Sequence, residues 1–117
     1  MELTAIVIDD DEDTARIFSE FLTESHFKVL GVGHSGKDAV ELYQKNKPEL
    51  IFLDIMMAEG SGFYAIKKLL DSNPKVKIIA VTADIRTTTR EKLKSLNIPV
   101  VQKPFTIDDI MRVIQFS

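Results

Sequence analysis

Leu50-Ile51-Phe52-Leu53-Asp54 is the stretch from which the fold is read: four consecutive apolar residues closed by one carboxylate. A short uninterrupted apolar run fits a strand covered on both faces, because a strand with one wet face alternates. Similar runs lie on either side: Ala5-Ile6-Val7-Ile8, Val29-Leu30-Gly31-Val32, Val76 to Val81 and Pro99-Val100-Val101. Between them apolar residues fall at helical spacing. Ala15, Phe18, Phe21 and Leu22 mark the first helix, Ala39, Val40 and Tyr43 the second, and Phe63, Ile66, Leu69 and Leu70 the third. Leu93 and Leu96 mark a weaker fourth, and Ile107, Ile110, Met111 and Ile114 a fifth. Strand and helix alternating in units of about 20–25 residues predict an α/β fold with a five-stranded parallel sheet and helices on both faces. Right-handed crossovers leave only a few doubly wound strand orders.

Composition bounds the rest. The chain has 117 residues, 44% of them apolar, which is one domain's worth and enough for a real core. It has no cysteine, which excludes disulfides, thiolate metal sites and a cysteine nucleophile. Eighteen acids against fifteen bases give a net charge of −3, which argues against direct nucleic-acid binding. No stretch reaches the roughly 18 apolar residues of a membrane helix, and Met1-Glu2-Leu3-Thr4 does not resemble a signal peptide. A cytoplasmic single domain spanning residues 1–117, with no membrane partner, is the expectation.

In a parallel doubly wound sheet, function gathers at the carboxyl ends of the strands. The first strand ends in Asp9-Asp10-Asp11-Glu12-Asp13, the third in Asp54, the fourth in Thr82-Ala83-Asp84 and the fifth in Gln102-Lys103-Pro104. Clustered carboxylates repel one another and call for a cation, and a hard divalent ion with oxygen ligands, Mg²⁺, suits them. Lys103 can neutralise a phosphoryl charge and Thr82 can hydrogen-bond its oxygens. The set suits phosphoryl transfer onto a carboxylate nucleophile assisted by one metal. Taken singly, each piece also has a plainer reading. Asp9–Asp13 reads as a helix cap with favourable first-turn charge, Asp54 as a turn residue, Thr82 as a strand end or cap, and Lys103 as a surface lysine.

Together these residues resemble the receiver domain of two-component response regulators. The resemblance covers the whole chain and rests on Val7-Ile8-Asp9-Asp10-Asp11, Leu53-Asp54-Ile55-Met56-Met57, Val81-Thr82-Ala83 and Lys103-Pro104-Phe105. It implies a flavodoxin-like sheet in the order 2-1-3-4-5. It further implies that Asp54 is the phosphoacceptor, charged by a histidine kinase. Asp10 would bind Mg²⁺ directly and Asp9 through water, with Asp54 and the backbone carbonyl of Met56 completing the ligands. Thr82 would be the switch hydroxyl, Lys103 the ammonium that meets the phosphoryl group, and Lys103–Pro104 commonly a cis peptide. Met56 and Asp84 would flank the path of the attacking water.

The chain departs from the family pattern in three places. After Asp54 it reads Met57-Ala58-Glu59-Gly60-Ser61-Gly62, keeping the last glycine and losing a proline, with Ser61 still able to cap the third helix. Val100 stands where the family carries the aromatic ring that turns inward on activation, so that rotamer switch is unavailable. Pro99 lacks an N–H and favours an edge strand. Among other residues, His26 and His34 read as surface histidines, and Ser35-Gly36-Lys37-Asp38 as a helix cap. Arg86 to Lys94 reads as a solvated or partner-binding face. Phe105, Ile107, Met111 and Phe116 read as core by default.

Three functions follow. The first is a stand-alone response regulator whose phosphorylation changes a surface for an unknown output protein; it is not an enzyme beyond assisting its own phosphotransfer and dephosphorylation. The second is a receiver-like interaction module not controlled by phosphorylation. The third is a small phosphatase of the haloacid-dehalogenase type, with Asp9 as nucleophile and Asp11 as the second acid; Asp13 stands where its motif wants Thr or Val.

Overall fold

A computed structural model describes residues 2–57, 61–83 and 86–116, with the backbone alone at Ser61 and Phe116. The elements run β1 (Thr4–Ile8), α1 (Glu12–Glu24), β2 (Lys28–Gly33), α2 (Gly36–Asn46), β3 (Leu50–Asp54), α3 (Ser61–Ser72), β4 (Ile78–Thr82), α4 (Thr87–Ser95), β5 (Val100–Gln102) and α5 (Ile107–Phe116). All four strand pairings are parallel and the sheet order is β2-β1-β3-β4-β5. This is the flavodoxin-like order that the family resemblance implied.

Coverage on both faces holds where strands are central. Every residue of β3 and of β4 is buried. The edge strand β2 departs from that expectation, because it has a neighbour on one side only: Val32 is 37% exposed. The β1–β2 register also shifts between Ala5 and Ile6, which pair with Val29 and Gly31 and pass over Leu30. At the other edge, β5 begins after Pro99, whose carbonyl still accepts the Ala80 N–H at 2.9 Å. β4 starts at Ile78 rather than Val76, because the Val76 N–H closes a turn on the Asn73 carbonyl.

Two cores sit on the two faces of the sheet. Helices α2, α3 and α4 pack an aliphatic core that includes Ile6, Leu53, Ile66, Leu69 and Leu93. Helices α1 and α5 cover the opposite face, where Phe18, Phe27 and Phe52 join Leu22 and Ile110. Phe18 meets Phe52 edge-on with centroids 5.3 Å apart, and Phe105 lies 5.0 Å from Phe18. Such offset aromatic contacts add to the gain from area burial. Phe105 and Ile107 thus serve the core, whereas Met111 is 46% exposed and Val113 packs inward in its place. Leu96 likewise falls outside the core, at the C-terminal cap of α4.

Caps fix where the helices begin. Ser35 Oγ accepts the Asp38 N–H at 3.0 Å, while Asp38 Oδ2 accepts the His34 N–H at 2.8 Å. This reciprocal pairing satisfies two backbone donors at the start of α2. Thr106 and Asp109 make the same exchange at α5. Among the described residues no helix is long and apolar enough to cross a membrane.

Candidate functional site

The parallel register delivers the expected residues to one end of the sheet. Ile8 pairs with Leu53, so Asp9 and Asp54 leave adjacent strands side by side. Asp54 pairs with Val81, which puts Thr82 one step beyond it, and Thr82 pairs with Gln102, which puts Lys103 one step further. The Lys103 N–H donates to the Thr82 carbonyl at 2.8 Å. Asp9, Asp54 and Thr82 are buried, at 4%, 6% and 1% exposure, in a region where few polar side chains are. Asp10 is exposed at the mouth.

Each buried carboxylate has its oxygens assigned. Asp9 Oδ1 accepts the Asp11 N–H at 3.0 Å and its Oδ2 accepts from Lys103 Nζ at 3.0 Å. Asp54 Oδ1 accepts the Met56 N–H at 2.9 Å, and its Oδ2 lies 3.6 Å from Lys103 Nζ. One ammonium is therefore shared between two carboxylates. Burial pushes the Asp54 carboxyl above its ordinary value, and the charges of Asp9 and Asp10 push the same way, against the pull of Lys103 and the Met56 N–H. For Lys103 burial works to lower the pKa, but the hydrogen bond to Asp9 and the charges of Asp54 and Asp9 outweigh it and raise it above the usual lysine value. At Asp54 burial thus outweighs the opposing pull of Lys103.

Carboxylate oxygens of Asp9, Asp10 and Asp54 all lie within 4.8 Å of one another. Three hard anionic donors at that spacing fit a small divalent ion that keeps part of its water shell. Burial of Asp54, together with the smaller repulsion from Asp9 and Asp10, raises its carboxyl and gives such an ion something to relieve. The residues present therefore fit Mg²⁺.

The loops that frame the site are tightly built. The Lys103–Pro104 peptide is cis. A Cβ on Gly62 would come within 2.9 Å of the Ile55 Cα and carbonyl oxygen and 3.2 Å of the Asp54 carbonyl oxygen. The first turn of α3 therefore presses directly on the backbone that leaves Asp54, and only glycine fits there. The rest of that loop, Ala58, Glu59 and Gly60, the cap expected of Ser61 and the expected role of Asp84 lie outside the described residues. Met56 is 51% exposed, and Arg86 Nη2 stands 3.9 Å from its sulfur. Val100, in place of the aromatic, is half-buried and packs against the aliphatic core.

One contact at the site was not foreseen. His34, read as a surface histidine, places Nδ1 2.9 Å from the Asp9 carbonyl oxygen. Since a carbonyl can only accept, Nδ1 carries the proton and donates. The ring thus braces the β1–α1 turn from the adjoining β2–α2 turn. Its only signal in the sequence is its place just after a strand end.

A doubly wound parallel sheet with an acidic, lysine-bridged carboxyl edge defines a known class of domain. The chain belongs to the response regulator receiver domain family, which matches residues 5–115. Such domains are modules of two-component signalling and bind Mg²⁺ at an acidic site. The chemotaxis protein CheY of Thermotoga maritima is 32% identical over 78 residues, which span 67% of this chain and 65% of that protein. CheY of Listeria monocytogenes is 25% identical over 114 residues, spanning 97% of this chain and 96% of that protein. Among solved structures, the CheX–CheY–BeF3–Mg complex from Borrelia burgdorferi superposes with a TM-score of 0.88 at 15% identity, covering 97% of this chain and 87% of that one.

Proposed function

We propose that this chain acts as a response regulator receiver that accepts a phosphoryl group from a histidine kinase onto Asp54 and thereby changes its surface for an output protein. The observation that carries this reading is the cluster of Asp9, Asp10 and Asp54 oxygens within 4.8 Å, with Lys103 bridging Asp9 and Asp54. In the transfer, an Asp54 oxygen bonds to phosphorus as the donor's P–N bond breaks, and the electron pair returns to the imidazole nitrogen. The Met56 N–H fixes Asp54 Oδ1, which leaves Oδ2, on the Lys103 side, as the reacting oxygen.

Asp9, Asp10, Asp54 and the Met56 carbonyl would hold Mg²⁺. When bound, the ion neutralises charge developing on the phosphoryl oxygens. That the Borrelia neighbour was solved with BeF3 and Mg²⁺ supports this ligand class. Lys103, already between the carboxylates, would follow the new charge, and Thr82 would hydrogen-bond it. The chain would be a cytoplasmic signalling protein rather than an enzyme, with no direct contact to nucleic acid or membrane. The CheX in the neighbour's complex supports a protein as output partner.

The test is incubation with Mg²⁺ and acetyl phosphate, or beryllofluoride, followed by mapping of the modified residue. A phosphoryl adduct on Asp54, absent in Asp54→Ala, is the expected result. Turnover that depends on Asp9 would favour a phosphatase, and no response to either reagent would leave a module that is not controlled by phosphorylation.

A further inference from the structure

One peptide joins the two acids that follow β1, and the side chain that holds this peptide comes from a different strand end. Asp9 is buried, whereas Asp10 is exposed at the mouth of the site. Both main-chain groups of Asp9 are tied to the β2–α2 turn. Its N–H donates to the Gly33 carbonyl at 3.1 Å, and its carbonyl accepts from His34 Nδ1 at 2.9 Å. That carbonyl belongs to the Asp9–Asp10 peptide. Because a peptide moves as a rigid plane, the bond from His34 restricts the two dihedrals that aim Asp10 relative to Asp9. The brace is itself anchored. The His34 N–H donates to Asp38 Oδ2 at 2.8 Å, within the cap of α2. A Cβ on Gly33 would lie 2.7 Å from the Asp38 Cβ and 3.0 Å from the Ile8 Cδ1, so α2 and β1 close on this turn from both sides.

We infer that His34 is a positioning residue of the metal site: it fixes the peptide between Asp9 and Asp10 and so favours the small, octahedral Mg²⁺ over the larger Ca²⁺. The assignment rests on the reading of Asp9, Asp10 and Asp54 as metal ligands, with oxygens within 4.8 Å of one another. The other two acids are held through their own carboxylates. Asp9 accepts from the Asp11 N–H and from Lys103 Nζ, and Asp54 accepts from the Met56 N–H. Asp10, exposed to solvent, takes its direction from the main chain that His34 clamps. Mg²⁺ demands near-ideal geometry, whereas Ca²⁺ accepts a more variable set of oxygens at longer distances. Freedom at Asp10 therefore costs Mg²⁺ more than it costs Ca²⁺. Partners of this kind tune a metal site by orienting its ligands, without touching the ion.

The experiment titrates the metal-free protein with Mg²⁺ and, separately, with Ca²⁺ by calorimetry, with no phosphodonor present. The unaltered chain is compared with His34→Phe, His34→Ala and His34→Asn. The first variant keeps a ring and the second removes it, yet neither leaves a donor; the amide N–H of the third can stand in for Nδ1–H. Both donor-free variants are expected to weaken Mg²⁺ binding about tenfold, the lower end of the range for such partners, because His34 acts through the main chain. Ca²⁺ binding should weaken less, so the ratio of the two dissociation constants shifts. His34→Asn should recover most of the Mg²⁺ affinity. Without metal, the Asp10 and Asp11 amides should exchange faster in His34→Phe than in the unaltered protein, while those of β3 should not.

Equal weakening toward both ions would overturn the inference in favour of a general loosening of the turn. So would unchanged or tighter Mg²⁺ binding in the donor-free variants, or a His34→Asn protein no better than they are. Thermal melts of the metal-free proteins identify a variant that does not fold, and the other donor-free variant then carries the test. If the unaltered protein binds neither ion, the reading of the three acids as a metal site falls; if it binds Mg²⁺ and the donor-free variants match it, only the role of His34 falls.

Discussion

β3 and β5 lie in the same sheet with one strand between them, yet they are built differently. All five residues of β3 are buried, and strands pair with it on both sides. β5 has three residues, of which Val101 alone is buried, and it pairs on one side only. The helices follow suit. α1 buries Ala15, Phe18 and Leu22, whereas α4 buries Thr89 and Leu93 and reaches α3 through Lys92, whose ammonium lies 4.1 Å from the Phe63 ring centroid. Elements with few buried apolar side chains open at lower free energy than the core. The carboxylates are therefore mounted on the half that resists movement, and Thr82 and Lys103 lead into the half that yields. Under the proposed function, a change of charge at Asp54 would do its conformational work where rearrangement costs least.

The contrast can be broken most directly by two cavities. Phe52→Ala, in the aromatic core, is expected to cost about 4 kcal/mol, a large part of the stability of a domain this size. Leu93→Ala should cost about 2 kcal/mol, because α4 can settle into the gap. Urea denaturation gives both values, and hydrogen exchange should show the loss in Leu93→Ala confined to α4 and β5. Equal costs with global loss of protection would mean that the two halves are not mechanically distinct.

A smaller effect of opposite sign is expected at the site. Native Asp54 holds its proton more tightly than its ordinary pKa of 3.8, because it is buried beside two other acids. The folded state then binds more protons than the unfolded one between 3.8 and the raised value, so this residue's contribution falls as pH rises through that window. Asp54→Asn lacks the fall. It should melt higher than the unaltered protein in the absence of divalent ions, with an advantage that grows above pH 3.8 and then levels off. Scanning calorimetry across pH checks this, and added Mg²⁺ should narrow the difference. The smallest change is Lys92→Ala, which removes a cation–π contact worth about 0.5 kcal/mol at an exposed position. Its signature is faster exchange of α4 amides with little change in the global midpoint.

Much of this arrangement is legible from residue order. In a parallel sheet a strand's last residue has only one end of the molecule to occupy, so Asp9, Asp54, Thr82 and Lys103 converge once the apolar runs are recognised. The Ser35–Asp38 cap is equally local. What escapes periodicity is contact between loops. The bond from His34 to the Asp9 carbonyl joins two turns 25 residues apart, and the contact of the Arg86 guanidinium with the Met56 sulfur joins turns 30 apart. Neither is encoded in the pattern of either segment. Helical spacing alone also does not say how wide the buried stripe is, which is why Leu96 and Met111 face water while Val113 does not.

Gly62 carries a consequence of a different kind. It touches no ligand and offers no functional group, yet a single methyl there would meet the backbone of Ile55 at 2.9 Å. A backbone contact cannot be relieved by a change of rotamer, so the first turn of α3 or the peptide leaving Asp54 would have to move. In a saturation mutagenesis experiment selected on signalling, position 62 would therefore tolerate as few alternatives as the carboxylates themselves. Its intolerance would record a spacing between two stretches of main chain rather than any chemistry of its own.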